Sequence, residues 1–228
     1  MDVRDALRIA LSRIIVRVSN QDSDTRYAAL SKDVSSADVY DHFLKSAELV
    51  ESCLRETYHN LFATTAPVSI LNRDVLTVSP DEIPTRIGLT ITSPPYPNAY
   101  EYWLYHKYRM YWLGMDPIRV RDREIGARPH YFRKNHSTAA DFERQMGTCF
   151  SLLSRVMIPN SFACFLVGRS VIHGHTIDNA VLLQRAARDF GFRLHTCIER
   201  RIARARKSFN LSHSGIETES ILVFRSEH

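Results

Sequence analysis

The sequence predicts an α/β fold built on a mainly parallel sheet. Three observations carry that expectation. Segments with apolar residues at helical spacing alternate with β-rich runs along most of the 228 residues. Phe162–Val167 is a continuous apolar run that reads as a strand, and Ile87–Thr92 is β-rich and stops at consecutive prolines. The helical stretch Thr176–Asp189 ends just before Gly191, a residue suited to a C-terminal cap, and a further strand begins at Phe192.

Taken in order, Val3, Leu7, Ala10, Leu11, Ile14, Ile15 and Val18 recur at three and four residues and predict an opening amphipathic helix. The polar run Ser19–Asp24 breaks it. A second helix is expected from about Ala37 to Phe62, with Val39, Phe43, Ala47, Val50 and Leu54 on one face. Val68–Leu71, closed by Asn72-Arg73-Asp74, reads as a short buried strand. Tyr100–Leu113 is helical again, and its aromatic stripe is expected to pack as core against the sheet. Met115–His136 is rich in Pro and Arg, has no clear period, and reads as a long loop or insertion. Thr138–Met157 is a helix, Phe192–Ile202 a strand running into basic residues, and Ser220–Phe224 a last strand. The whole is expected as one domain in four parts: helices over 1–66, two strands over 67–114, a basic loop over 115–137, and the rest of the sheet over 138–228.

Composition narrows the function. With 44% apolar and 24% charged residues the chain is neither disordered nor low in complexity, and no apolar run is long enough to span a membrane. The N-terminus does not read as a secretory signal, because Asp2 and Asp5 interrupt it. Cys53, Cys149, Cys164 and Cys197 lack CxxC or Cys/His spacing, so they read as reduced, buried thiols of a cytoplasmic protein, with no metal site. The net charge of +5 is unevenly spread: Pro117–Lys134 carries +4 and Arg193–Lys207 carries +5. Clustered cations suit a polyanion, because each neutralised phosphate releases counterions. Arg119, Arg121, Arg123, Arg128 and Lys134 in the first window, and Arg204 and Arg206 in the second, are the candidate phosphate contacts.

The motif that points to chemistry is Thr92-Ser93-Pro94-Pro95-Tyr96, placed directly after a β-rich run. Two prolines can continue neither a strand interior nor a helix, so the chain turns rigidly at the carboxyl end of a strand, where α/β sheets bind ligands. Carbonyls that no ladder uses, with an aromatic ring beside them, suit a planar exocyclic amine. The pentapeptide resembles motif IV of amino-group DNA methyltransferases in the SPPY form of N4-cytosine enzymes; N6-adenine enzymes more often begin it with Asp or Asn. The stretch from Tyr96-Pro97-Asn98-Ala99-Tyr100 to Trp112-Leu113-Gly114 is similar to the aromatic helix after that motif. Val167-Gly168-Arg169-Ser170 with Gly174 is similar to the family's fifth-strand turn, although relatives often carry an acidic or amide residue where this chain has Arg169. The likeness runs from about Val68 to Arg225, and only the SPPY element is highly specific.

The resemblance implies a class I methyltransferase (Rossmann-like) sheet of strand order 3-2-1-4-5-7-6, S-adenosyl-L-methionine as methyl donor, and double-stranded DNA as partner. Ser93, Pro94, Pro95 and Tyr96 would act on an extruded base, and Asp74 and Thr92 would meet the cofactor. The family's Gly-rich cofactor loop is missing: no two of the eight glycines are two residues apart. The first two strands are missing as well, so the sheet is expected to be incomplete. A split enzyme, a truncated gene product or a rearranged sheet would each account for this. In the first case a second polypeptide carries the loop. Two other readings stay open: methylation of RNA or a protein glutamine, for which the turn usually begins with Asn, and a non-catalytic nucleic-acid-binding remnant.

Overall fold

A computed structural model describes residues 2–24, 26–61, 68–97, 101–201 and 218–227. Contacts divide the chain into two compact units, Met1–Leu71 with Tyr102–Arg121, and Asn72–Glu101 with Asp122–His228.

In the first unit α1 (Val3–Val18) starts where the Asp2 side chain accepts the Asp5 amide, and it runs over the expected residues. The polar break after it contains a hairpin that its composition hides, β1 (Gln21–Ser23) with β2 (Arg26–Ala29). Lys32 braces this corner by donating to the carbonyls of Val16 and Gln21. Helix α2 (Ser36–Leu61) begins with Ser35 and Asp38 capping one another and packs on α1, where the buried Ser46 hydroxyl donates to the Ala10 carbonyl at 3.0 Å.

The aromatic stretch forms two short helices, α3 (Tyr102–Tyr105) and α4 (Lys107–Trp112). They belong to this unit; Trp103, Leu104 and Tyr108 are half-buried, whereas Tyr102, Tyr111 and Trp112 are exposed. Arg109 of α4 donates to the Ser12 carbonyl (2.8 Å) and contacts His106 Nδ1 (3.0 Å). His106 is half-buried there. Burial lowers its pKa first, the Arg109 charge adds to that, and Asp24 opposes it.

In the second unit β3 (Ile87–Thr92), α7 (Ala139–Val156), β4 (Met157–Gly168), α8 (Asn179–Arg188), β7 (Phe192–Arg201) and β8 (Thr218–Ser226) lie close to their expected places. Gly191, at φ 70°, takes the left-handed conformation that closes α8, and its amide bonds the Arg188 carbonyl. Between β4 and α8 lies a hairpin not expected, β5 (Ser170–Ile172) with β6 (His175–Ile177). Positive φ at both His173 and Gly174 suits its tight two-residue turn. The polar segment around residue 120, which passes from the first unit to the second after Arg121, is not an open loop. It holds α5 (Pro117–Arg123), started by Asp116 accepting the Ile118 and Arg119 amides, and α6 (Arg128–Phe132).

The sheet order is β3-β4-β8-β7. Strands β3, β4 and β7 share one direction, as a mainly parallel sheet requires, and β8 alone is reversed, antiparallel to both of its neighbours. Order and directions are those of strands four, five, seven and six of the class I methyltransferase sheet. One face of this sheet is packed: Ala163, Phe165, Val167, Leu222 and Phe224 meet α7 and α8, with Phe150 centred among Phe165, Phe192 and Phe224 at ring distances of 4.9–5.4 Å.

One strand that the sequence suggested does not form. Val68–Leu71 forms no strand; Val68 and Ile70 are each 87% exposed. With no strand beside it, such a segment has nothing to pair with. Among the described residues β3 is accordingly the sheet edge, with Leu89 54% and Ile91 76% exposed. The cysteines are free, but only Cys149 and Cys164 are partly buried, whereas Cys53 and Cys197 are exposed.

Candidate active site

Strand β3 reaches its last ladder position at Thr92, opposite Phe165 of β4. The chain then leaves the sheet because neither Pro94 nor Pro95 has an amide hydrogen to give. The next residues alternate in environment: Ser93 is exposed, Pro94 buried, Pro95 and Tyr96 half-buried, and Pro97 buried. The prolines seat the turn on the protein, leaving the Ser93 hydroxyl in the open. Among the described residues, no loop amide or side chain donates to the carbonyls of Ser93, Pro94 or Pro95. Tyr96 packs partly against the buried cluster of this unit, which limits where its ring can go.

Sequence reading missed one residue of this site, Gly126. It has φ 78°, and a Cβ there would lie 2.4 Å from the Tyr96 carbonyl oxygen and 2.8 Å from its carbon. The loop between α5 and α6 thus rests directly on the backbone of the motif, and only glycine allows the approach. The Glu124-Ile125-Gly126-Ala127 stretch has no motif signature, so its one sequence signal is an isolated glycine in a basic region. Gly126→Ala meets both a strained conformation and a backbone clash. It should lower the unfolding free energy by roughly 2 kcal/mol or more and displace Tyr96. A melting curve unchanged from wild type would contradict this contact.

Asp74 follows no strand. Its Oδ1 accepts the Leu76 amide at 3.1 Å and its carbonyl accepts Thr77, so it shapes a turn. It also lies close enough to Cys149 to matter: burial, with Asp74 repulsion added, pushes that thiol up to about 11.

The candidate phosphate contacts divide by element. Arg119, Arg121 and Arg123 stand on α5; Arg119 and Arg123 are exposed, while Arg121 lies 5.7 Å over the Trp103 ring. Arg128 begins α6 and stands over Phe132 at 5.1 Å, and Lys134 is exposed just beyond. Arg204 and Arg206 lie outside the described residues. No cluster of three potential metal ligands occurs among the described residues, and no described helix is long and apolar enough to cross a membrane.

The strand order, with a Ser-Pro-Pro-Tyr turn at the carboxyl end of β3, is similar to the corresponding part of a class I methyltransferase sheet. No family model and no curated protein matches the sequence. Among solved structures the chain is similar to TTHA0409, a candidate DNA modification methylase of Thermus thermophilus. Its selenomethionine form aligns at 18% identity and TM-score 0.40 over 68% of this chain and 51% of that one. A second structure gives 17%, 0.41, 68% and 52%. A third, complexed with S-adenosyl-L-methionine, gives 17%, 0.41, 68% and 54%. This chain therefore spans about half the length of the structures it resembles.

Proposed function

We propose that this chain is the target-amine portion of an S-adenosylmethionine-dependent DNA methyltransferase, with cytosine N4 preferred over adenine N6. The observation that carries the reading is the Ser93–Tyr96 turn at the end of β3, where carbonyls that no described residue uses lie beside a fixed ring. Cytosine N4 is a poor nucleophile because its lone pair is delocalised into the ring. Accepting its N–H bonds on the Ser93 hydroxyl and the Pro94 carbonyl draws the nitrogen towards a tetrahedral form. Tyr96 stacks on the extruded base and holds the amine in line. No cysteine nucleophile is needed, in keeping with the raised thiol of Cys149.

The residues present do not fit the whole methyl donor. Asp74 shapes a turn, and no Gly-rich loop exists to receive the methionine end. S-adenosylmethionine, once held, would supply the electrophilic methyl, and in this chain Thr92 and the second Asp74 oxygen would be the remaining candidate contacts. A second polypeptide or segment then brings the loop and the missing strands, and the exposed β3 edge supports that reading. Ser93 in place of Asn favours a base over a protein glutamine. A non-catalytic DNA-binding remnant would keep the basic residues and never bind cofactor.

Nucleoside mass spectrometry of DNA from cells expressing the completed system tests the reaction. N4-methylcytosine is expected; N6-methyladenine would replace the base assignment, and 5-methylcytosine would remove the direct-attack mechanism. Reversing Arg119, Arg121 and Arg123 to Glu should weaken DNA binding and flatten its salt dependence, by roughly 0.9 in the log–log slope for each phosphate no longer neutralised. An unchanged slope would give these arginines a structural role.

A further inference from the structure

Beside the motif turn stands a group of exposed rings that methyl transfer does not use. Helix α6 begins two residues after Gly126, the glycine that rests on Tyr96. Tyr131 anchors this helix: it is 1% exposed, and burial raises its hydroxyl to about 12, so it stays protonated. The next residue, Phe132, is 51% exposed. Its ring lies 5.2 Å from that of His173, which in turn lies 4.9 Å from His136.

Both sides of the group are held firmly. The Ser137 amide bonds the His130 carbonyl and closes the chain around His136. His173 occupies the turn of the β5–β6 hairpin at φ 49°. The buried Asn179 side chain ties the root of that hairpin, donating to the Gly168 carbonyl at 2.8 Å and to the Ser170 hydroxyl at 2.7 Å.

The charge around the rings has one sign. Neither 125–140 nor 162–177 contains a carboxylate, while Arg128, Arg133, Lys134 and Arg169 are cationic. Of the flanking acids, Glu124 is half-buried, Asp141 accepts from Thr138 and Arg144, and Asp178 accepts the Ala180 and Val181 amides. Rigid exposed rings among cations, free of acids, are complementary to an unpaired nucleobase between phosphates.

We propose that Phe132, His136 and His173 form a stacking surface for an unpaired base of a nucleic-acid strand, with Arg128, Lys134 and Arg169 taking the adjoining phosphates. It rests on the nucleic-acid part of the proposed function and is independent of methyl transfer. A base displaced from its duplex, or one flanking it, would be held at the same end of the sheet as the Ser93 turn, since β4 runs parallel to β3 and ends at Gly168.

The test is fluorescence anisotropy of the full chain with a labelled single-stranded DNA dodecamer, its duplex, an abasic version and the RNA counterpart, across a salt series. Phe132→Ala should weaken single-strand binding about ten-fold, the range of one base–aromatic stack, with the salt slope unchanged. Phe132→Trp should bind as wild type, and His173→Asn, which keeps the left-handed turn, should also lose affinity. Wild type should bind the abasic strand as weakly as Phe132→Ala binds the intact one. Equal affinity of Phe132→Ala and wild type for the intact strand, or a ten-fold loss from Phe132→Ala that persists on the abasic strand, overturns the stacking surface while the DNA reading stands. Failure to bind any of the four probes overturns both. Equal binding to DNA and RNA assigns the contact to the base alone.

Discussion

Ser93→Ala should lower methyl transfer by about a hundred- to a thousand-fold, the usual effect of removing one pre-aligned hydrogen-bond partner from a reacting group. Ser93 is exposed and outside the ladder, so the variant should fold and bind DNA as wild type does. Tyr96→Ala should cost as much through lost alignment of the base, and some stability too, because that ring packs on the buried cluster. Tyr96→Phe separates the two effects: it keeps the ring and should retain most activity. Initial rates with the completed system, set beside DNA affinity of each variant, decide the matter. Unchanged rates in Ser93→Ala would remove the hydroxyl from the mechanism.

Supplying the missing strands and the Gly-rich loop should restore both cofactor binding and activity. It should also stabilise this chain. Leu89 and Ile91 on β3 expose apolar surface that a completed sheet would cover. A partner present at about a hundred times its dissociation constant adds roughly 2.7 kcal/mol, worth about 5–10 °C in melting temperature for a chain of this size. Mixing that leaves the melting temperature unchanged would mean that the β3 edge is not the docking edge.

The parts legible in the sequence were those with strong local signals. The helices α1, α2, α7 and α8 announce themselves by apolar period, and β3, β4, β7 and β8 by β-rich runs ended at turn residues. The motif turn was legible because two prolines leave the backbone so little choice. Direction was not: nothing local in 218–226 says that β8 inserts antiparallel between β4 and β7. Val68–Leu71 shows the converse failure, since an apolar run becomes a strand only if a neighbour supplies hydrogen bonds. The β1–β2 hairpin is too polar and short to show a period. Helices α5 and α6 did carry start signals in Asp116-Pro117 and Arg128-Pro129, which the density of charge concealed. Gly126 and the ring group were beyond reach, because their meaning lies in what approaches them from distant segments.

The central claim is that this chain carries the target side of a methyl-transfer site and lacks the cradle for the donor. Isothermal titration of the purified chain with S-adenosylmethionine tests it most directly. The account predicts little or no heat up to millimolar cofactor from the chain alone, and binding once the complementary segment is added. Micromolar binding by the chain alone would contradict it, and would place the cofactor on residues other than a Gly-rich loop.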